Sequence, residues 1–183
     1  MARVKRLERV VALTKELVDN PGELFPFAFF CEKFNVAKST LSEDVQAVRN
    51  GLAAYDLGVI ETVSGVSGGV RFIPYNTDEG NVSFLRELAQ KLQDPQRVLP
   101  GGTLYMTDIL FTPRTTVRLG AVIMQRSLDL HPDFIMTVET KGISLALAVA
   151  RAFNIPMVMA RKEARITEGP AVSISYLSGS TKK

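Results

Sequence analysis

The sequence contains very few of the side chains that build disulfides and metal sites. Cys31 is its one cysteine and His131 its one histidine, so neither a disulfide framework nor a multi-cysteine or multi-histidine metal site is expected. No apolar run approaches the roughly 18 residues that a membrane-spanning helix needs. The charged start, Met1 to Arg6, is not followed by an apolar block. We therefore expect no secretion signal and a cytosolic location.

The charge is only weakly unbalanced. The 183 residues carry 22 Lys and Arg against 19 Asp and Glu, a net charge of +3, which slightly favours a polyanionic partner. Within residues 1–74, however, nine basic residues are matched by nine acidic ones. The basic excess is local, because residues 1–15 hold five basic residues against Glu8 alone. The count allows a basic patch near the N-terminus and argues against a generally basic domain.

The first part of the chain has the pattern of a small complete domain. Apolar residues recur at helical spacing in three successive segments, and two strand-like runs then flank a glycine-rich tip. The predicted helices cover 4–18, 24–34 and a stretch beginning near Lys38, and the predicted strands cover 59–63 and 70–73. In the first helix the apolar positions are Val4, Leu7, Val11 and Val18, and also Val10, Leu13 and Leu17. We predict three helices and a hairpin in residues 1–74, followed by a polar linker.

The second part, residues 75–183, predicts an α/β arrangement. Helices are expected at about 81–93, 115–130 and 143–153, and buried strands at 134–138 and 157–160. The last helix and the two strands form one β-α-β unit, whose strands should be parallel. A further strand is expected at 171–177. Because a parallel sheet needs cover on both faces, and few elements are available here to provide it, we expect this domain to be incomplete within the 183 residues.

The third predicted helix carries a polar face opposite an apolar stripe. The stripe consists of Leu41, Val45, Val48 and Leu52. Short polar and basic side chains near a helix start suit contacts with phosphates and base edges in a DNA major groove, with the hairpin as a wing beside the duplex. The candidate DNA-contacting residues are Arg3, Lys5, Arg6, Lys38, Ser39, Thr40, Ser42, Gln46, Arg49 and Arg71. The alternative is a small helical bundle whose polar face is merely solvated.

Two acidic residues lie on this third helix. Thr40 and Glu43 have the spacing of a capping box, so we expect Glu43 to cap the start of the helix. Asp44 would be repelled by phosphate unless a basic residue pairs with it.

A second candidate site follows the predicted parallel strands. Thr140, Lys141 and Gly142 lie between the first strand and its helix, where backbone amides attract anions and a glycine permits close approach. Arg161 and Lys162 follow the second strand and would add positive charge at the same sheet edge, as a polyphosphate requires. The alternative is an ordinary β-α turn with solvated cations.

These segments, taken in order, resemble the purine operon repressor family of Gram-positive bacteria. Residues 1–74 resemble its winged-helix domain and residues 97–110 (RVLPGGTLYMTDIL) its connector. Residues 133–142 (DFIMTVETKG) and 157–180 resemble its phosphoribosyltransferase-like domain. The resemblance implies an α/β fold with an α+β N-terminal part. A winged helix-turn-helix domain would be followed, over residues 75–183, by a partial type I phosphoribosyltransferase-like domain.

The resemblance also implies a function. It implies a non-enzymatic repressor of purine biosynthesis and transport genes, which is released from double-stranded DNA by phosphoribosyl pyrophosphate (PRPP). Guanosine tetraphosphate is a candidate competitor for the same pocket. By position, the implied effector-binding residues are Thr140, Lys141 and Gly142 in the pyrophosphate loop, Arg161 and Lys162 in a flexible loop, and Tyr105 in the connector. We expect a homodimer, because one winged helix reads only a short half-site.

One motif of that family is missing. Its main PRPP motif is an apolar strand, an acidic pair and a Gly-Gly-Thr loop, and no such run occurs in these 183 residues. The chain as written is therefore expected to bind PRPP poorly. Two other functions stay open. One is a purine phosphoribosyltransferase with an added N-terminal domain, and the other is a winged-helix module for protein interaction, which the balanced charge of residues 1–74 allows.

Overall fold

The computed structural model describes residues 4–65, 67–75, 77–162 and 172–174. Within these residues the chain forms seven α-helices and two small sheets, one of three strands and one of two. The predicted mixture of helices and strands is confirmed. Among the residues described, none of the helices has the length and hydrophobicity that a bilayer crossing needs.

The N-terminal unit contains three helices and a three-stranded antiparallel sheet, in the strand order β1-β3-β2. Its elements are α1 (Arg6–Asp19), β1 (Phe25–Pro26), α2 (Phe27–Phe34), α3 (Lys38–Ala54), β2 (Val59–Val63) and β3 (Gly69–Ile73). The hairpin is in register from the pair Val59 and Ile73 to the pair Val63 and Gly69. The three helices and the hairpin are as predicted, whereas the short edge strand β1 was not expected.

One apolar core joins the three helices to the sheet. The predicted stripe of α3 is buried, and it packs with Leu13 and Leu17 of α1. Phe30 of α2 is fully buried at the centre, with its ring centroid 5.3 Å from that of Phe25. The sheet closes the core with its inner face, which includes Phe72. This packing buries the apolar side of α3, so its opposite side is the one left in solvent.

The second unit begins with an exposed helix and ends in the β-α-β segment. Its elements are α4 (Asp78–Leu92), α5 (Thr107–Leu110), α6 (Pro113–Arg126), β4 (Ile135–Val138), α7 (Ile143–Phe153) and β5 (Met157–Ala160). Short 3₁₀ turns lie at Pro95–Arg97 and Leu128–Leu130. Helix α6 starts earlier than the predicted 115, because a proline is well suited to the first helical position, where no amide donor is needed. The α6 residue Gly120 lies so close to Ala148 of α7 that an added Cβ would be 2.7 Å from its carbonyl carbon.

The parallel pairing of β4 and β5 is confirmed, but their predicted burial is wrong. Met136 is 63% exposed and Val138 67% exposed. Helix α7 packs against β4, and the outward side chains of β4 are not covered within the described part of the chain. The predicted strand at 171–177 lies outside the described residues except for 172–174, which form no regular structure there.

The two units touch at one end of α1. The Arg151 side chain reaches the backbone carbonyl of Asp19 at 3.5 Å, and Gly22 lies against Asn154 so closely that a Cβ there would be 2.9 Å from that of Asn154. Beside this contact is an open cavity of about 750 Å³ between the outer face of the hairpin and the ends of α6 and α7.

Candidate nucleic-acid interface

The solvent side of α3 carries a continuous polar ridge. Ser39, Ser42, Gln46 and Asn50 are all exposed and follow one another at intervals of three or four residues, so they share one helix face. The Gln46 amide donates to the Asn50 side-chain oxygen at 2.8 Å. Paired amide side chains of this kind can read adenine edges, and the serines can reach phosphates.

The predicted capping box of α3 is wrong. The helix begins at Lys38 with Ala37 as its N-cap, and no side chain caps it. Thr40 is therefore already inside the first turn, and Leu41 donates its amide to the Ala37 carbonyl at 3.1 Å. Glu43 is exposed beside the polar ridge. Lys38 is exposed at the start of the helix, with its ammonium 5.7 Å from the centre of the Phe27 ring.

The guanidinium of Arg49 is held by three hydrogen bonds within the N-terminal unit. It donates to the Ile60 carbonyl at 3.1 Å, to Gln46 Oε1 at 2.7 Å and to Thr62 Oγ1 at 2.6 Å. These bonds tie α3 to strand β2 of the hairpin. Arg49 therefore fixes the hairpin relative to the ridge and orients Gln46.

Asp44 is paired with two arginines, as a carboxylate on a DNA-contacting helix requires. It is 1% exposed and accepts from Arg9 Nε at 2.8 Å and from Arg6 Nε at 3.3 Å. Arg9 is buried with it and also donates to the Val4 carbonyl at 3.0 Å. Arg6 remains mostly exposed, with 62% of its side chain in solvent. The pair locks α1 to α3 and leaves the Arg6 side chain largely in solvent.

The remaining candidate DNA contacts are dispersed. Arg71 pairs with Glu61 at 2.6 Å across the hairpin, and both line the cavity that faces the second unit. Lys5 is exposed just before α1. Arg3 lies outside the described residues. The structure thus groups Ser39, Ser42 and Gln46 on one face of α3, and it places Arg71 at the cavity on the hairpin.

Three contributors to this site were missed from the sequence. Asn50 was detectable, because it lies one turn after Gln46 on the same face. Thr62 and Arg9 act through partners that are 13 and 35 residues away in the chain, and no local pattern signals such pairs.

The second candidate site is assembled as the parallel strands predict. Thr140, Lys141 and Gly142 form the turn between β4 and α7, and Arg161 and Lys162 follow the neighbouring strand β5 at the same edge. Thr140, Lys141 and Lys162 are exposed.

Two features shape this edge. Arg161 is mostly buried and lies 3.7 Å from Glu139, which offsets part of the positive charge there. A Cβ on Gly142 would meet Thr137 Oγ1, so a larger residue in this turn would force the Thr137 side chain to move.

Tyr105 is held in the connector by Arg97. Its amide donates to the Arg97 carbonyl at 2.7 Å, and its own carbonyl accepts from the Arg97 guanidinium at 3.1 Å. Arg97 also forms two hydrogen bonds with Asp108, at 2.8 and 2.7 Å. These bonds hold the pKa of Asp108 below its usual value. The connector is therefore a folded loop with a half-exposed tyrosine.

The N-terminal unit thus carries an exposed polar ridge on one helix, and the second unit carries a basic β-α turn. Residues 5–74 match the family described as "Bacterial purine repressor, N-terminal". Over 181 residues the chain is 40% identical to the purine biosynthesis transcriptional repressor PurR of Bacillus subtilis, covering 99% of this chain and 64% of that protein. The resemblance to the purine operon repressor family is confirmed.

Two further relatives refine this picture. The purine biosynthesis transcriptional activator PurR of Lactococcus lactis subsp. lactis is 36% identical over 98% of this chain and 66% of its own length. The chain thus spans just under two thirds of the regulators it matches. The xanthine phosphoribosyltransferase of Deinococcus deserti is 31% identical over 98 residues, 51% of each chain. The regulators match nearly the whole chain, and the enzyme only half of it.

Proposed function

We propose that this chain is a transcriptional repressor of purine biosynthesis and transport genes, in which residues 1–74 are a winged helix. Helix α3 is the reading helix and the β2–β3 hairpin is the wing. The observation that carries the proposal is the exposed polar ridge of α3, whose position is fixed on one side by Asp44 and on the other by Arg49. A rigidly held row of polar side chains is expected on a surface that contacts DNA bases, whereas a face that is merely solvated does not need to be held rigidly.

Each group on the ridge has a distinct task in this proposal. The Gln46 and Asn50 amides face base edges, while Ser39, Ser42 and Lys38 contact the phosphate backbone. Arg6, held by Asp44, supplies a further phosphate contact. Arg49 acts by positioning Gln46 and the wing.

Replacing Lys38 with alanine should weaken DNA binding uniformly and reduce the slope of log affinity against log salt by about one, because a phosphate contact is lost. Replacing Gln46 with alanine should cost about 1–3 kcal/mol on the cognate site and much less on random DNA, because a base contact is lost. Both effects can be measured by fluorescence anisotropy over a salt series, with DNA from upstream of a purine gene.

Lys91→Ala is the matched control for these variants, because Lys91 is an exposed lysine near the end of α4. It should bind both DNAs like the unmodified chain. If Lys38→Ala and Gln46→Ala also do so at every salt concentration, α3 is not the reading helix.

We further propose that the turn at Thr140, Lys141 and Gly142, with Arg161 and Lys162, binds the pyrophosphate of PRPP, and that Tyr105 lines the same pocket. Guanosine tetraphosphate, another polyphosphate, would compete there. PRPP would release the DNA by preferring the arrangement that binds DNA weakly, and the operator would reciprocally weaken PRPP binding. Because the acidic-pair motif is missing from these residues, high PRPP concentrations are required.

Adding PRPP to the complex of the chain with purine-gene DNA should lower the apparent affinity, within the roughly 5–150-fold range typical of such coupling. Lys141→Ala should abolish this response without changing the affinity for DNA in the absence of PRPP. A gel-shift titration measures both. Tighter binding on PRPP addition would contradict the proposed release.

A purine phosphoribosyltransferase is the second candidate function, favoured by the similarity to xanthine phosphoribosyltransferase over half the chain. Steady release of pyrophosphate from PRPP and a purine base would support the enzyme. We expect none, because the acidic-pair motif is absent from these residues.

We also propose that the protein works as a homodimer. One reading helix contacts a single major-groove half-site, and two helices one DNA turn apart double the recognised sequence.

A further inference from the structure

Helix α1 has two apolar faces, and only one of them is used in the core. Leu13 and Leu17 are fully buried on the inner face. On the outer face Leu7 and Val11 are 75% and 62% exposed, and Val4, just before the helix begins, is 38% exposed. Single exposed apolar residues are ordinary, but Leu7 and Val11 are four residues apart and therefore form one apolar stripe on the same helix face. Val18, toward the end of the helix, is half-buried and packs against the core.

Charged residues along one edge of this stripe alternate in sign. From N- to C-terminus they are Lys5, Glu8, Lys15 and Asp19, and all four are exposed. Read in the reverse direction, the order becomes negative, positive, negative, positive. An antiparallel helix of the same sequence therefore presents the opposite charge at every step.

A two-fold axis between Val11 and Ala12 pairs the charges and keeps the exposed apolar residues of the two copies together. In that register Val11 of one copy lies beside Val11 and Ala12 of the other. The charged edges of the two copies fall on the same side of the contact, because the axis is perpendicular to the helices, and Glu8 then lies opposite Lys15. Such a contact is isologous, so every favourable pair occurs twice.

We propose that the outer face of α1 is a homodimer contact, packed antiparallel against α1 of a second copy of this chain. The inference rests on the proposed dimeric regulator and names its surface. The four flanking charges sum to zero, which disfavours an anionic membrane or a nucleic acid as the occupant. The side of α1 that holds Arg9 against α3 is the opposite one, so the ridge of α3 stays free for DNA.

The size of the contact sets its strength. A 14-residue helix is about 21 Å long, and one helix pair buries less area than the roughly 1,200–2,000 Å² of a stable complex. The contact is therefore weak in isolation and acts together with other dimer contacts or with adjacent DNA half-sites.

A charge-reversal cycle in the full 183-residue chain tests the pairing. Glu8→Lys and Lys15→Glu should each raise the dissociation constant of the dimer about five- to tenfold, because each replaces two attractions by two repulsions. The double variant should restore association. Sedimentation velocity over a concentration series measures it, with Glu32→Lys on α2 as the control for an exposed reversal outside the contact.

The double variant separates pairing from folding. Glu8 also accepts a hydrogen bond from the Lys5 amide at 2.9 Å, so Glu8→Lys alone disturbs the start of α1. The double variant does not restore that bond, and its recovery would report the contact between copies. Failure of the double variant to recover would overturn the proposed register.

Cross-linking at the two-fold axis gives a second test. With Cys31 replaced by serine, Val11→Cys should form a disulfide dimer under mild oxidation, while Ala53→Cys, exposed on α3, should not. Equal rates at the two positions would overturn the proposal. A chain that binds DNA but does not cross-link at position 11 contradicts only this surface, and one that cross-links but does not bind DNA contradicts only the proposed function.

Discussion

Replacing Asp44 with alanine is expected to lower the free energy of unfolding by about 3–5 kcal/mol, because the guanidinium of Arg9 is then left buried without its partner. Asp44 is 1% exposed, and the Arg9 side chain is 8% exposed. Neither group can regain water without separating α1 from α3. Urea denaturation followed by far-ultraviolet circular dichroism measures the loss, and DNA affinity should fall with it, since α3 loses one of its two anchors.

Glu61→Ala is the matched control for this prediction. Glu61 and Arg71 form an ion pair at 2.6 Å, but both side chains are about 40% exposed, so its removal should cost about 1 kcal/mol or less. The double variant Arg9→Met with Asp44→Leu should regain most of the lost stability, because apolar residues of similar volume can replace a buried ion pair. Equal losses for Asp44→Ala and Glu61→Ala would show that the Arg9–Asp44 pair is not buried.

The helices could be predicted because their signals are local. The apolar stripe of α3 has the helical period, and the same four residues are buried in the structure. The start of α3 was harder to place. The capping-box pattern at Thr40 and Glu43 is present in the sequence, yet the helix begins at Lys38, and the pattern falls inside it. Lys38 and Ser39 already belong to the first turn, so the capping-box spacing alone does not fix where the helix begins.

The site could be predicted only in part, because its geometry depends on distant partners. The exposed polar residues of α3 follow from the helical period alone. The roles of Asp44 and Arg49 do not, since one depends on Arg9 of α1 and the other on Ile60 and Thr62 of the hairpin. The sequence therefore predicts Arg49 as a DNA contact, whereas in the structure its guanidinium bonds α3 to the hairpin.

Strand burial could not be predicted for a similar reason. The apolar run 134–138 suits a strand covered on both faces, and its pairing with 157–160 follows from the β-α-β rule. Whether a strand face is buried depends on which other elements lie over it. In the part of the chain described here, α7 packs on β4, and Met136 and Val138 point away into solvent.

Replacing Gly58 with alanine is expected to destabilise the chain by about 3 kcal/mol, because it adds a steric clash to a backbone conformation that only glycine adopts easily. Gly58 has a φ of +133°, and a Cβ there would enter the Phe72 ring, 2.5 Å from its Cζ. Phe72 is part of the core and cannot move aside freely. Thermal unfolding followed by circular dichroism would report the loss.

We expect the DNA affinity of the Gly58→Ala variant to fall together with its stability. Gly58 is the last residue before β2, so relief of the clash displaces the hairpin that Arg49 holds through Ile60 and Thr62. Gly65→Ala is the control, because Gly65 has a φ of +117° at the hairpin tip and open space around its Cβ position. It carries the backbone strain without the clash. Equal losses for the two variants would show that Phe72 yields to the new methyl group.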